Sequence, residues 1–130
     1  RCALRWALQE AHVRGDTVDA IHAWSDDAGY GPYASRDMGT LRTLAHDRAR
    51  DLLASEVDAA LRDGPPAPVE QILVEEPAAY ALIDASKGWE LVVVGSRGRG
   101  GFTGLLLGSV SQQVAHHAHC PVVIVPRGTP

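Results

Sequence analysis

VVVGSRGRGGFTGLLLGSV, residues 92–110, decides how this chain is read. An apolar run leads into six glycines between Gly95 and Gly108, and a helical pattern opens at Ser109. Glycine loses more conformational freedom on folding than any other residue, so such a cluster needs a physical reason. Strand, glycine loop and helix start together make a phosphate site, because amide groups there lack partners and glycine lets an anion approach them. Ligands of open α/β sheets bind beyond the carboxyl ends of the strands, and Gly95 is expected at such an end.

Outward from this stretch the pattern alternates. RCALRWALQEAHVR places Leu4, Ala7, Leu8 and Ala11 at helical spacing, and Gly15-Asp16 ends it. Residues 17–24 read as a strand and SDDAGYGPYAS as a loop. A long helix is predicted over about residues 37–62, with Leu41, Leu44, Ala45, Ala49, Leu52, Leu53, Val57, Ala60 and Leu61 on one stripe. Gly64-Pro65-Pro66 stops it. PVEQILVEE is a strand, Pro77 suits the first turn of the helix AAYALIDAS, ELVVVG is a buried strand, LGSVSQQVAHHAH is a helix and PVVIVP is a last strand. Helix and strand alternate four times, which predicts an α/β fold: an open, mostly parallel twisted sheet with helices on both faces. We expect a single domain over residues 1–130.

The totals fit a globular domain. The chain of 130 residues is 45% hydrophobic and 22% charged, with a formal charge of −4. No basic surplus exists to displace counterions, so nucleic acid is not an expected partner. No apolar run reaches the roughly 20 residues of a membrane helix, so no membrane partner is expected either. Cys2 and Cys120 are too few for a disulfide framework and read as thiols in a reducing compartment. His116, His117, His119 and Cys120 look like a metal set, but His117 leaves the helix face that His116 and Cys120 share. Packing and surface roles are the expectation.

Two standard phosphate signatures fail. GxxxxGK[ST] is absent, the only lysine being Lys87, and Gly98 with Gly100 gives only part of GxGxxG. The spacing that fits is Gly95-x2-Gly98-x9-Gly108-Ser109, between ELVVV and a helix leading to CPVVIV. With ALRWALQEA, VDAIHAW and LLLGSVSQQVAHHAHCPVVIVP, it resembles the nucleotide-binding class of the universal stress protein family over nearly the whole chain.

The resemblance implies a fold of the adenine-nucleotide α-hydrolase-like, Rossmann-like kind, binding ATP, with or without Mg. Carried over, Gly95 and Gly98 contact ribose and phosphates, flanked by Val94 and Ser96. Gly108, Ser109, Val110 and Ser111 bind phosphate from the helix start, with the Ser109 and Ser111 hydroxyls as donors. Ala23, after His22, matches the position whose backbone reads adenine. Arg97 and Arg99 would neutralise phosphate charge or remain solvated. Asp26 and Asp27 would hold a nucleotide-bound metal or belong to a solvated loop. The resemblance also implies a cytoplasmic regulator and a homodimer paired through residues 121–126.

One departure stands out. The family's first strand, ending in an Asp-rich turn, lies mid-sheet, and this sequence opens after it. The expectation is a domain truncated at its N-terminus, with a gap in the sheet whose orphaned backbone groups cost about 1–3 kcal/mol each. The alternatives for function are a dimeric interaction module that binds no nucleotide, and a slow ATPase or adenylating enzyme. No nucleophile or positioned base is visible, so enzyme activity is expected at most as slow hydrolysis.

Overall fold

The computed structural model describes residues 2–25, 38–96 and 107–126. Arg97, Gly98 and Arg99 lie outside the described residues, as do Asp26 and Asp27.

Among the described residues, four helices and four strands alternate as α1 (Cys2–Arg14), β1 (Val18–Ala23), α2 (Met38–Asp63), β2 (Val69–Val74), α3 (Ala78–Ala85), β3 (Val92–Gly95), α4 (Ser109–His117) and β4 (Val122–Val125). A 3-10 turn, Ser86–Gly88, follows α3. The predicted order is present, and each strand pairing is parallel. The fold is α/β, with a sheet that does not close.

Local chemistry explains the ends. Gly15 takes φ +73°, the left-handed conformation that terminates a helix, and the Asp16 amide donates to the Ala11 carbonyl at 2.9 Å. Pro77 stands at the cap of α3 with φ −58° and ψ 137°, one place before the predicted first turn. Its carbonyl accepts from the Ala81 amide at 3.1 Å.

The strands form two pairs. β1 pairs with β2, with Val18 opposite Val69 and Ala23 opposite Val74. β3 pairs with β4, with Val92 opposite Val122 and Gly95 opposite Val125. β1 and β3 are not hydrogen-bonded to each other.

Each pair has its own core. Ala20, Leu53 and Val57 join α2 to the first pair, with Leu4, Val69 and Leu73 packed around them. Val92, Val94 and Val114 join α4 to the second, with Leu82, Val110 and Ile124 around them. Burying one such aliphatic side chain contributes about 1.5–3 kcal/mol, so both clusters are substantial. Helices α1 and α2 pack together, as do α3 and α4. Helix α1 also reaches β3 and β4, and α3 reaches β1, so the two halves are layered into one body. The Trp89 indole Nε1 donates to Asp19 Oδ2 at 2.9 Å and ties the amino ends of β3 and β1.

The long helix departs from its predicted stripe at one place. Ala49, Leu53, Val57 and Ala60 are buried, but Leu44 is 49% exposed near the helix start.

Candidate functional site

Two strand ends and one helix start converge at the carboxyl end of β3. The Ser96 amide donates to the Val125 carbonyl at 2.9 Å, extending the β3–β4 ladder by one residue. The Ser96 carbonyl then accepts twice: from the Gly108 amide at 2.6 Å and from the Ser111 hydroxyl at 2.9 Å. The residue after the strand is thereby pinned to the start of α4.

Gly108 caps α4 in extended backbone, φ −74° and ψ 170°, without a side-chain cap. The helix ladder begins with the Gln112 amide on the Gly108 carbonyl at 3.0 Å. The amides of Ser109, Val110 and Ser111 therefore precede the first intrahelical donor, the Gln112 amide, as in the first turn of any helix. The helix dipole adds a partial positive charge at the same place. No acidic residue occupies this first turn. Chemically, such a helix start favours a negative charge.

The expected residues divide as follows. Val94 is 7% exposed and belongs to the core beside Val114, so its side chain supports the strand. Gly95 closes β3, and Gly95 and Ser96 are half-buried. Ser109 is exposed. Ser111 is 2% exposed, and its one hydroxyl hydrogen has the Ser96 carbonyl at 2.9 Å and the Gly108 carbonyl at 3.1 Å as acceptors. In this arrangement that hydroxyl holds the loop, and the Ser111 amide is the group left for an anion. Ala23 ends β1, and the following Trp24 amide donates to the Val74 carbonyl at 2.9 Å.

The sequence reading passed over a cluster at the carboxyl ends of β1 and β2. Trp24 meets His46 edge-on, with ring centroids 5.5 Å apart and planes at 78°. The Arg42 guanidinium lies 5.7 Å from the Trp24 ring and pairs with Glu75. With Thr43 and Leu73 these residues line a hollow of about 420 Å³. Its only sequence signal is the position of Trp24, directly after Ala23; Arg42 and His46 come from a helix far along the chain.

A larger cavity, about 930 Å³, lies between the two strand pairs. His22, Gly95 and Ser96 line its carboxyl end. Among the described residues, no group of three or more His, Cys, Asp and Glu is arranged to hold a metal ion. His116 and His117 stand with ring centroids 6.2 Å apart. Both cysteines are free. Burial pushes the Cys120 thiol up from its ordinary value, opposed by a hydrogen bond involving the Val92 backbone. No described helix is long and apolar enough to cross a membrane.

Comparisons with known proteins agree with this geometry. The family model described as the universal stress protein family matches residues 2–126. Universal stress protein Rv2623 of Mycobacterium tuberculosis (strain H37Rv) is 39% identical over 127 residues, covering 95% of this chain and 42% of the relative. The chain thus spans about two fifths of that relative's length. Among solved structures, universal stress protein UspA from Lactobacillus plantarum superposes with a TM-score of 0.76 at 18% identity, covering 95% of this chain and 86% of that one. A universal stress protein in complex with cAMP superposes with a TM-score of 0.57 at 27% identity, covering 95% and 84%.

Proposed function

The chain belongs to the universal stress protein family, and from that premise we propose that it binds an adenine nucleotide, ATP, at the carboxyl end of β3 and the opening of α4. The observation that carries this reading is the pinned helix start. The Ser96 carbonyl holds both Gly108 and Ser111, while the amides of Ser109, Val110 and Ser111 precede the first intrahelical donor, the Gln112 amide. Such a set binds phosphate without rearrangement, because its dipoles are already aimed. Gly95, Gly98, Arg97 and Arg99 complete the phosphate loop, and Mg accompanies the triphosphate. The backbone of Ala23 reads the base. The family relative in complex with cAMP supports an adenine nucleotide as the ligand class.

The nucleotide acts as a regulatory ligand in the cytoplasm, and any turnover is slow hydrolysis. The assembly is a homodimer through residues 121–126. Among the described residues β4 pairs only with β3, which leaves its outer edge for a second copy.

Thermal unfolding with ATP, ADP and cAMP tests the ligand. A nucleotide at 100 times its dissociation constant stabilises by about 2.7 kcal/mol, a shift of several degrees. Gly98→Val, which places a side chain where phosphate must approach backbone, abolishes the shift and leaves the unliganded midpoint in place. An unchanged midpoint with every nucleotide overturns the reading and favours the interaction module. Gel filtration across micromolar concentrations tests the dimer, and elution at 13.9 kDa throughout would refute it.

A further inference from the structure

We propose that Trp24, Arg42 and Glu75 set which base the chain accepts, by fixing the main chain of Ala23 rather than by touching the base. The inference rests on the nucleotide reading above and deepens it to the selectivity of that site.

Four residues form a closed circuit at the carboxyl ends of β1 and β2. The Trp24 amide donates to the Val74 carbonyl at 2.9 Å. Glu75 follows Val74 in the chain, and its carboxylate pairs with the Arg42 guanidinium of α2. That guanidinium lies 5.7 Å from the centre of the Trp24 ring, which closes the circuit. His46, one helical turn after Arg42, meets the same ring edge-on, with centroids 5.5 Å apart. Trp24 is half-buried, so the cation and the imidazole hold its ring where core packing alone does not.

The circuit bears on Ala23 because a parallel ladder alternates. The amides of Val18 and Trp24 both donate toward β2, to the Pro68 and Val74 carbonyls. Residues in step with these two address β2, and residues out of step turn their main-chain groups the other way. Ala23 is out of step, so its amide and carbonyl point away from β2 while its neighbour Trp24 is clamped.

An amide and a carbonyl held in one orientation tell bases apart. Adenine presents a donor, its N6 amino group, where guanine presents the O6 acceptor. Fixed partners refuse the reversed pattern, because a mismatched polar group is left unpaired. A main chain free to turn would accommodate both bases. Selectivity therefore follows how firmly the end of β1 is held. Trp24, Arg42 and Glu75 are thus positioning residues. The Arg42 and Glu75 side chains are 52% and 32% exposed, so breaking their pair changes selectivity by about fivefold.

Titration calorimetry of the 130-residue chain with ATP, GTP and inorganic tripolyphosphate is the test. Tripolyphosphate reads the α4 end without a base. The parent chain prefers ATP to GTP. Glu75→Gln and Arg42→Met each lower that preference by about fivefold, leave tripolyphosphate affinity unchanged and leave circular dichroism unchanged. The double variant loses no more than either single one, because both break the same circuit. Trp24→Phe, which keeps an aromatic face for Arg42, retains the preference, and Trp24→Ala loses it. An unchanged preference in both single variants would overturn the inference. So would a parallel loss of tripolyphosphate affinity, which marks general loosening, or losses that multiply in the double variant. A parent chain that binds ATP and GTP equally overturns the inference and leaves nucleotide binding standing. A parent chain that binds neither nucleotide nor tripolyphosphate overturns both.

Discussion

The Ser111 hydroxyl donates to the Ser96 carbonyl across 2.9 Å, tying the third residue of α4 to the residue that follows β3. Fifteen positions apart in sequence, the two fix the distance between strand end and helix start. The same carbonyl takes the Gly108 amide, so the start of α4 is braced twice.

Ser111→Ala removes one brace. The Ser96 carbonyl keeps its bond from Gly108, so the stability loss is about 1 kcal/mol. ATP affinity falls about fivefold, roughly 1 kcal/mol, as the amides lose their fixed aim. Ser109→Ala at the exposed neighbour shifts the midpoint by less than about 0.5 kcal/mol. Thermal unfolding and calorimetry on both variants check the contrast. Equal effects would mean that the brace is not what organises the site.

Ser86 closes a different junction. It is 1% exposed, donates to the Ile83 carbonyl at 2.6 Å and accepts from the His119 amide at 2.9 Å. Ser86→Ala leaves that amide without its side-chain acceptor and costs about 1–3 kcal/mol. Urea unfolding should show a lower midpoint with an unchanged slope. Ser86→Thr, which keeps the hydroxyl, should recover part of the loss.

Gly15 is the described residue with positive φ, +73°. A Cβ there would meet nothing within 4 Å, so the penalty is conformational alone. Gly15→Ala destabilises by about 1 kcal/mol through the left-handed backbone. Gly15→Asn, which tolerates that region, should cost less. Denaturant midpoints for the pair decide between a conformational and a packing cause.

Cys120 reacts slowly with iodoacetamide at pH 7.5, because burial holds its thiol above the ordinary value of 9.0 and keeps the thiolate scarce. The sign for stability follows from the raised value. The native state holds the proton more tightly than the unfolded chain does. The contribution is fully present below about pH 9 and is lost as pH rises through the folded value. Alkylation of the folded protein should lag that of the chain in 6 M guanidinium. Equal rates would contradict it.

The architecture was readable because its signals are local. In α1, the spacing of Leu8 and Ala11 declared a buried face, and both are buried. The run at Val92–Val94 declared a strand buried on its faces, and Val92 is 1% exposed. Leu44 failed the same logic. It fits the stripe of α2 but lies near the helix start, where nothing covers it enough to bury it. Of the candidate site, the glycine spacing located Gly95 and Gly108, yet it could not tell which serine is exposed and which holds the loop. Ser109 and Ser111 look alike in sequence; only burial separates them.

By itself the sequence determined the alternation of helix and strand, the parallel α/β class, the family and the opening of α4 after the glycine loop. These rest on periodicity and on spacings of a few residues, which short-range sterics and hydrogen bonding enforce. The tertiary structure decided the tie of Trp89 to Asp19, the pinning of Ser111 on Ser96 and the meeting of Trp24 with His46 and Arg42. Each joins residues from separate elements. Such partners are chosen by how helices pack on strands, and no local pattern of residue types encodes which side chains that packing brings together.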